Sequence, residues 1–169
     1  GMSGMDPSRD ADGYRRATIG GCDLRADIVE VHIYRRTDSG AEFLQLLRSK
    51  APLDGTWQPV LGHCEVGATA VACAVREMRE EVGLDVHGDA LGFWALEQAH
   101  PYFVAQINCI VLGPRFVAEV PTGWRPRLNA EHCEHRWVRP ADLDRSFMWP
   151  SQRASIREAI TEIIEAPAS

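Results

Sequence analysis

Apolar and polar positions along the chain change their period several times, and each change predicts an element. Residues 26–36 are dense in β-branched and aromatic side chains, with Ile28, Val29, Val31, Ile33 and Tyr34, and predict a strand. Asp38-Ser39-Gly40 is a turn signal, and residues 42–48 read as the antiparallel partner. Pro52 and Asp54-Gly55 mark residues 51–55 as a loop before a short strand at 57–61. Residues 69–82 carry the clearest helical signal, with Thr69 as N-cap and Gly83 where a helix stops. Residues 90–100 and 102–112 read as two strands broken at Pro101. Pro114, Pro121, Gly123 and Pro126 make 113–130 read as one long loop, a length that often carries function. A short strand follows at 135–138. A last helix spans 150–165, with Ile156, Ile160, Ile163 and Ile164 to one side. Residues 1–25 are polar and aperiodic, a loosely ordered arm whose Gly1-Met2 start looks like a tag remnant. Strands mixed with two main helices give an α/β or α+β domain over 26–165.

The 169 residues suit one domain with a sizeable core. A net charge of −6 argues against a duplex nucleic-acid partner, which calls for clustered Lys and Arg. It leaves room for a small phosphate-bearing substrate, since a bound metal can supply local positive charge. Cys22, Cys64, Cys73, Cys109 and Cys133 are odd in number and form no C-x-x-C pair. That speaks against a disulfide framework or structural zinc and for a reducing cytoplasmic setting. No apolar run reaches the roughly 18–20 residues of a membrane span.

At about 100° per residue, Val71, Val75, Met78 and Val82 form one helical stripe, expected to be the core face. Glu77, Glu80 and Glu81 share another face, with Glu77 and Glu81 one turn apart. Ala70 and Cys73 keep that side small one or two turns earlier. Arg76 lies four residues before Glu80 and offsets some repulsion. A solvated charged face is one reading; a hard cation such as Mg²⁺, which takes oxygen ligands and keeps several waters, is the other. Ahead of the helix stands Leu61-Gly62-His63-Cys64-Glu65-Val66-Gly67, a glycine-bearing turn after a strand. Glycine there lets backbone approach a ligand closely.

Gly62 through Leu84 resembles the Nudix box, G-x5-E-x7-R-E-U-x-E-E-x-G-U with U aliphatic. Gly62, Arg76, Glu77, Met78, Glu80, Glu81, Gly83 and Leu84 fit in register. The departure is Ala68, which stands where the first box glutamate belongs; Glu65 is nearby. The resemblance extends over most of 26–165 and implies an α/β/α sandwich with a mixed central sheet. Trp57-Gln58-x-Val60, Glu131 six residues before Trp137, and Ser146 to Ser151 look like the branch acting on dihydroneopterin triphosphate and dATP.

The resemblance implies a pyrophosphohydrolase that uses Mg²⁺, with Mn²⁺ as substitute. It implies Glu77, Glu81 and the backbone at Gly62 as metal ligands, with Glu80 as a further ligand or as the group orienting water. Glu131 is the expected distal carboxylate, with Glu134 competing. Arg76 is expected to orient Glu77 or Glu80. Arg48 suits a phosphate, because guanidinium matches phosphate geometry. His63 and Trp57 are candidate substrate contacts. Phe93, Trp94 and Tyr102 share with Trp57 the candidacy for stacking on a base. The substrate implied is a (d)NTP or pterin triphosphate, cut to the monophosphate and pyrophosphate, with homodimerisation left open. Two other classes stay open: a nucleotide-binding sensor module that has lost turnover, motivated by Ala68, and an interaction protein indifferent to metal.

Overall fold

A computed structural model of the chain describes residues 20–166. Strands β1 (Asp23–Arg25), β2 (Ile28–Thr37), β3 (Gly40–Arg48), β4 (Trp57–Gln58) and β5 (Val60–His63) precede helix α1 (Ala70–Val82). Strands β6 (Gly92–Ala95), β7 (Tyr102–Val104), β8 (Cys109–Val111), β9 (Arg115–Val120) and β10 (His132–Val138) follow. Helix α2 (Leu143–Ser146) and helix α3 (Pro150–Ala159) close the chain, and Ile160–Ile164 continues α3 as a π-helical turn.

The main sheet runs β10-β3-β2-β9-β6, with β4 added on β3 and β5 on β2. Only β2 and β9 pair in parallel; the other pairings in this sheet are antiparallel. A second sheet, β1-β8-β7, stands apart. The apolar run of β2 is explained by burial on both faces, as expected of a strand in a covered sheet. Val29, Val31 and Ile33 enter one apolar cluster with Met78 and Val82 of α1. Tyr34, from the other face, joins Phe147 and Ile156 beside α3. Phe116 and Ala118 of β9 face the α1 side while Val117 faces the α3 side. A mixed sheet covered by one helix on each face is the sandwich anticipated.

Several expectations are corrected. The loop expected at 113–130 contains β9, placed centrally between β2 and β6. Pro114 and Pro121 bracket this strand from outside, where they cost no ladder donor; residues 113–114 and the stretch from 121 onward are loop. Residues 1–19 of the expected arm lie outside the described residues, but Asp23–Arg25 is a strand paired in parallel with β8. The 90–112 stretch gives three short strands, because residues 96–101 leave the sheet and Asn108 turns at φ 48°. Pro59 splits 57–61 into β4 and β5, which pair with different strands. The strand expected at 135–138 begins at His132, with a bulge before Glu134. The last helix ends its α-geometry at Ala159, and α2 was not expected. The core face of α1 is rotated from the valine stripe: Val71 is 52% exposed, while Cys73, Ala74, Met78 and Val82 are buried. Packing on β2 and β5 chose the face, and it drew Glu77 and Glu81 inward with it.

No helix among the described residues is long and apolar enough to cross a membrane. All five cysteines are free.

Candidate active site

Helix α1 is held in register at both ends. Thr69 Oγ1 accepts from the Ala72 N–H at 3.1 Å, capping the first turn. Gly83 adopts φ 72°; its N–H donates to the Arg79 carbonyl, and the Leu84 N–H donates to Met78 at 3.2 Å. That glycine-closed end fixes the angle at which the helix presents Glu77, Glu80 and Glu81.

Gly62, in β5, meets the helix at its closest approach. A Cβ there would fall 2.1 Å from Glu77 Cδ and 2.5 Å from Glu77 Oε1, so only glycine fits beside this carboxylate in its present position. Arg76 ties helix, loop and acids together. Its guanidinium lies 3.0 Å from Glu77 Oε1 and 3.1 Å from Glu80 Oε2, and it donates to the His63 carbonyl at 2.9 Å. Arg76 thus contacts both acids that the sequence offered as its partners.

These residues open on a cavity of about 650 Å³ whose walls include Arg48, Gly62, His63, Glu65, Arg76, Glu77, Glu80 and Glu131. Glu81 lies just behind, 2% exposed. Burial pushes its carboxyl up to about 10, reinforced by Glu77 and Glu131 and opposed by a backbone hydrogen bond from Leu61. Glu77 is also raised, first by burial, against the pull of Arg76. Burial and mutual repulsion thus raise both carboxyls, and a cation bound between them would oppose that rise.

Donor atoms of Glu81, Glu131 and His132 lie within 4.8 Å of one another. Glu81 Oε2 is buried and, among the described residues, has no hydrogen-bond partner. The donor set, the orphaned oxygen and the glycine cradle all fit a divalent ion. Glu134, the competing acid, is exposed on β10 and absent from this cluster.

Other sequence candidates are distributed differently. Arg48 lines the cavity while its Nε donates to the Lys50 carbonyl at 3.2 Å, and His63 is exposed at the wall. Trp57 is not a wall residue: Arg136 covers its ring at 4.2 Å. Phe93 stacks on Phe116 in the core, and Trp94 stacks beside Tyr34. Of the four aromatic candidates, Tyr102 alone lines the cavity.

Two features escaped the sequence reading. His132 follows Glu131 directly, and its burial beside Glu81 depends on the bulge that starts β10. Glu30, buried in the middle of β2, pairs with Arg115 and His32 and accepts from Gln152 at 3.3 Å. Burial alone would raise the Glu30 carboxyl, but these three neighbours outweigh it and hold it low. An acid inside an otherwise apolar strand was the signal available. Glu30 and Gln152 line a second recess of about 560 Å³, with Trp149 and Tyr102. Pro52, Leu53, Gln58, Leu61 and Tyr102 line both cavities, so the two adjoin.

The fold is shared with solved proteins. The Ap4A hydrolase of C. elegans, in a binary complex, superposes with a TM-score of 0.63 at 21% identity, over 79% of this chain and 93% of that one. The dihydroneopterin triphosphate pyrophosphohydrolase of E. coli gives a TM-score of 0.59 at 23% identity, over 79% of this chain and 96% of that one. Among curated proteins, an octanoyltransferase of Myxococcus xanthus is 34% identical over 104 residues, 59% of this chain; the chain spans 28% of that protein's length. The NUDIX domain model matches residues 27–159, from the edge of β2 to the end of α3 and including every acid gathered around Gly62. The chain belongs to the NUDIX family.

Proposed function

We propose that the protein is a divalent-metal-dependent pyrophosphohydrolase that cuts a phosphoanhydride bond in a nucleoside-diphosphate-linked compound. The substrate we favour is a (d)NTP or a pterin triphosphate, giving the monophosphate and pyrophosphate. The observation that carries the reading is Glu77 set against Gly62 next to the grouped donors of Glu81 and Glu131, with Glu81 buried and one of its oxygens unpartnered among the described residues. Mg²⁺, or Mn²⁺ in its place, would be held by Glu77, Glu81, Glu131 and the Gly62 backbone, where it would neutralise the phosphate chain and acidify the attacking water.

The protein's own groups do the positioning, which dominates phosphoryl transfer. Arg48 holds the phosphate chain at the cavity wall. Glu80, exposed there and steadied by Arg76, takes the proton as water adds to phosphorus. The P–O bond to the leaving phosphate breaks, and its electron pair goes to that oxygen. Tyr102 stands where the two cavities join and stacks on the heterocycle, whose body lies in the recess under Trp149.

A second reading, binding without turnover, is favoured by one observation. The first turn of α1 carries no acid, and Ala68 is exposed with its N–H bonded to the Glu65 carbonyl. The test is a pyrophosphate- and phosphate-release screen with Mg²⁺ or Mn²⁺. It covers the common dNTPs, oxidised dGTP, dihydroneopterin triphosphate, dinucleoside polyphosphates and nucleotide sugars. The proposal expects metal-dependent release from triphosphates; metal-dependent binding with no release from any member would favour the second reading.

A further inference from the structure

Beside the helix carboxylates stands a buried histidine. The His132 side chain is fully enclosed, yet among the described residues neither Nδ1 nor Nε2 has a hydrogen-bond partner. Leaving a buried polar group unpaired costs about 1–3 kcal/mol, so two such atoms on one ring call for an occupant. The nearest acid oxygen, Glu81 Oε1, is 3.8 Å from Nδ1, too far for a hydrogen bond. Glu81 Oε2 is orphaned as well. Donors from His132, Glu81 and Glu131 lie within 4.8 Å of one another. Metal–ligand bonds of roughly 2.0–2.2 Å place two donors of one ion at most about 4.4 Å apart, so shifts of a few tenths of an ångström gather all three.

Building on the metal-dependent reading above, we propose that His132 is a nitrogen ligand of the ion held by Glu81 and Glu131. The site is then of mixed nitrogen and oxygen character and favours first-row transition ions over Mg²⁺. Mg²⁺ demands oxygen donors in near-octahedral array, whereas imidazole suits the later divalent ions. The acids of α1 supply charge, and β10 supplies the discrimination between metals.

Pulsed EPR on the full chain loaded with Mn²⁺ alone tests this directly. The expected result is coupling from a bound nitrogen that changes isotope pattern when the chain carries ¹⁵N-histidine and vanishes in His132→Gln. Calorimetry on the same variant should show Co²⁺ affinity reduced on the order of 10- to 100-fold, as for a lost partner at a metal site, with Mg²⁺ much less affected. If His132→Gln does not fold, His63→Gln decides between the two histidines at the site. Coupling that survives it supports His132, and coupling that disappears overturns the inference. Mn²⁺ bound without histidine-nitrogen coupling overturns the inference and leaves metal dependence standing. Absence of Mn²⁺ binding overturns both.

Discussion

Gly62→Ala adds one methyl group and removes nothing. The new carbon would sit 2.1 Å from Glu77 Cδ and 2.2 Å from Glu77 Cγ. Ordinary contact between such carbons begins near 3.5 Å, so the carboxylate must withdraw by more than 1 Å. Gly62 does not lie in the left-handed region, so alanine meets no backbone strain, and the obstructing atoms belong to a side chain that can swing away. The stability cost is thus that of modest overpacking, about 1–3 kcal/mol at most. A displacement of about 1 Å in a catalytic group costs on the order of 100-fold in rate. The assay is metal-dependent turnover beside thermal melting, with Gly123→Ala as control because a Cβ at Gly123 meets nothing within 4 Å. Gly62→Ala should melt no more than about 12 °C below the parent while losing about two orders of magnitude in turnover and at least tenfold in metal affinity. Parental turnover and metal affinity in a folded Gly62→Ala would refute the claim that this contact positions Glu77.

Further predictions follow from the same geometry. Glu131→Gln should weaken metal binding by at least tenfold while Glu134→Gln leaves it within twofold, read by calorimetry, since Glu131 shares the cluster with Glu81 and Glu134 does not. Metal affinity should rise with pH between 6 and 9: the metal-free Glu81 carboxyl holds its proton up to about 10, and binding must displace it. The same shift sets the stability of the metal-free chain. The folded state keeps a proton that the unfolded chain gives up near 4.5, so this contribution is full below that pH and is lost as pH rises toward 10. Melting in EDTA at pH 6 should therefore exceed melting at pH 9, and excess Mg²⁺ should narrow the gap. Arg115→Met should cost about 3–5 kcal/mol, measured by denaturant unfolding, because it strips Glu30 of a buried partner.

The chemistry was more legible in the sequence than the topology. Gly62, Arg76, Glu77, Glu80 and Glu81 are spaced by local helix geometry, which a sequence states directly. Their meeting point depends only on β5 and α1 being joined by the short turn at 64–69. Strand β9 was hidden because Pro114 and Pro121 look like breakers, although they sit just outside the strand. Whether such a proline interrupts a ladder is decided by the partner strand, a non-local fact. The rotated core face of α1 has a similar cause: Val71 fits an amphipathic stripe, but α1 packs on β2 and β5 through Cys73, Ala74 and Met78. His132 and the Glu30–Arg115 pair were missed because their partners are 51 and 85 residues away, and no periodicity links them. Trp57 illustrates the converse error. Its place before the box suggested a ligand contact, but strand alternation turns Gln58 toward the cavity and leaves Trp57 under Arg136.

The most direct test of the account compares the parent chain with Glu81→Gln on whichever triphosphate the screen identifies, measuring pyrophosphate release with Mg²⁺ and with EDTA. The account predicts release in the parent only with metal, and a loss of at least 100-fold in a Glu81→Gln protein that remains folded. Release that persists in EDTA, or a folded Glu81→Gln with parental turnover, would contradict it.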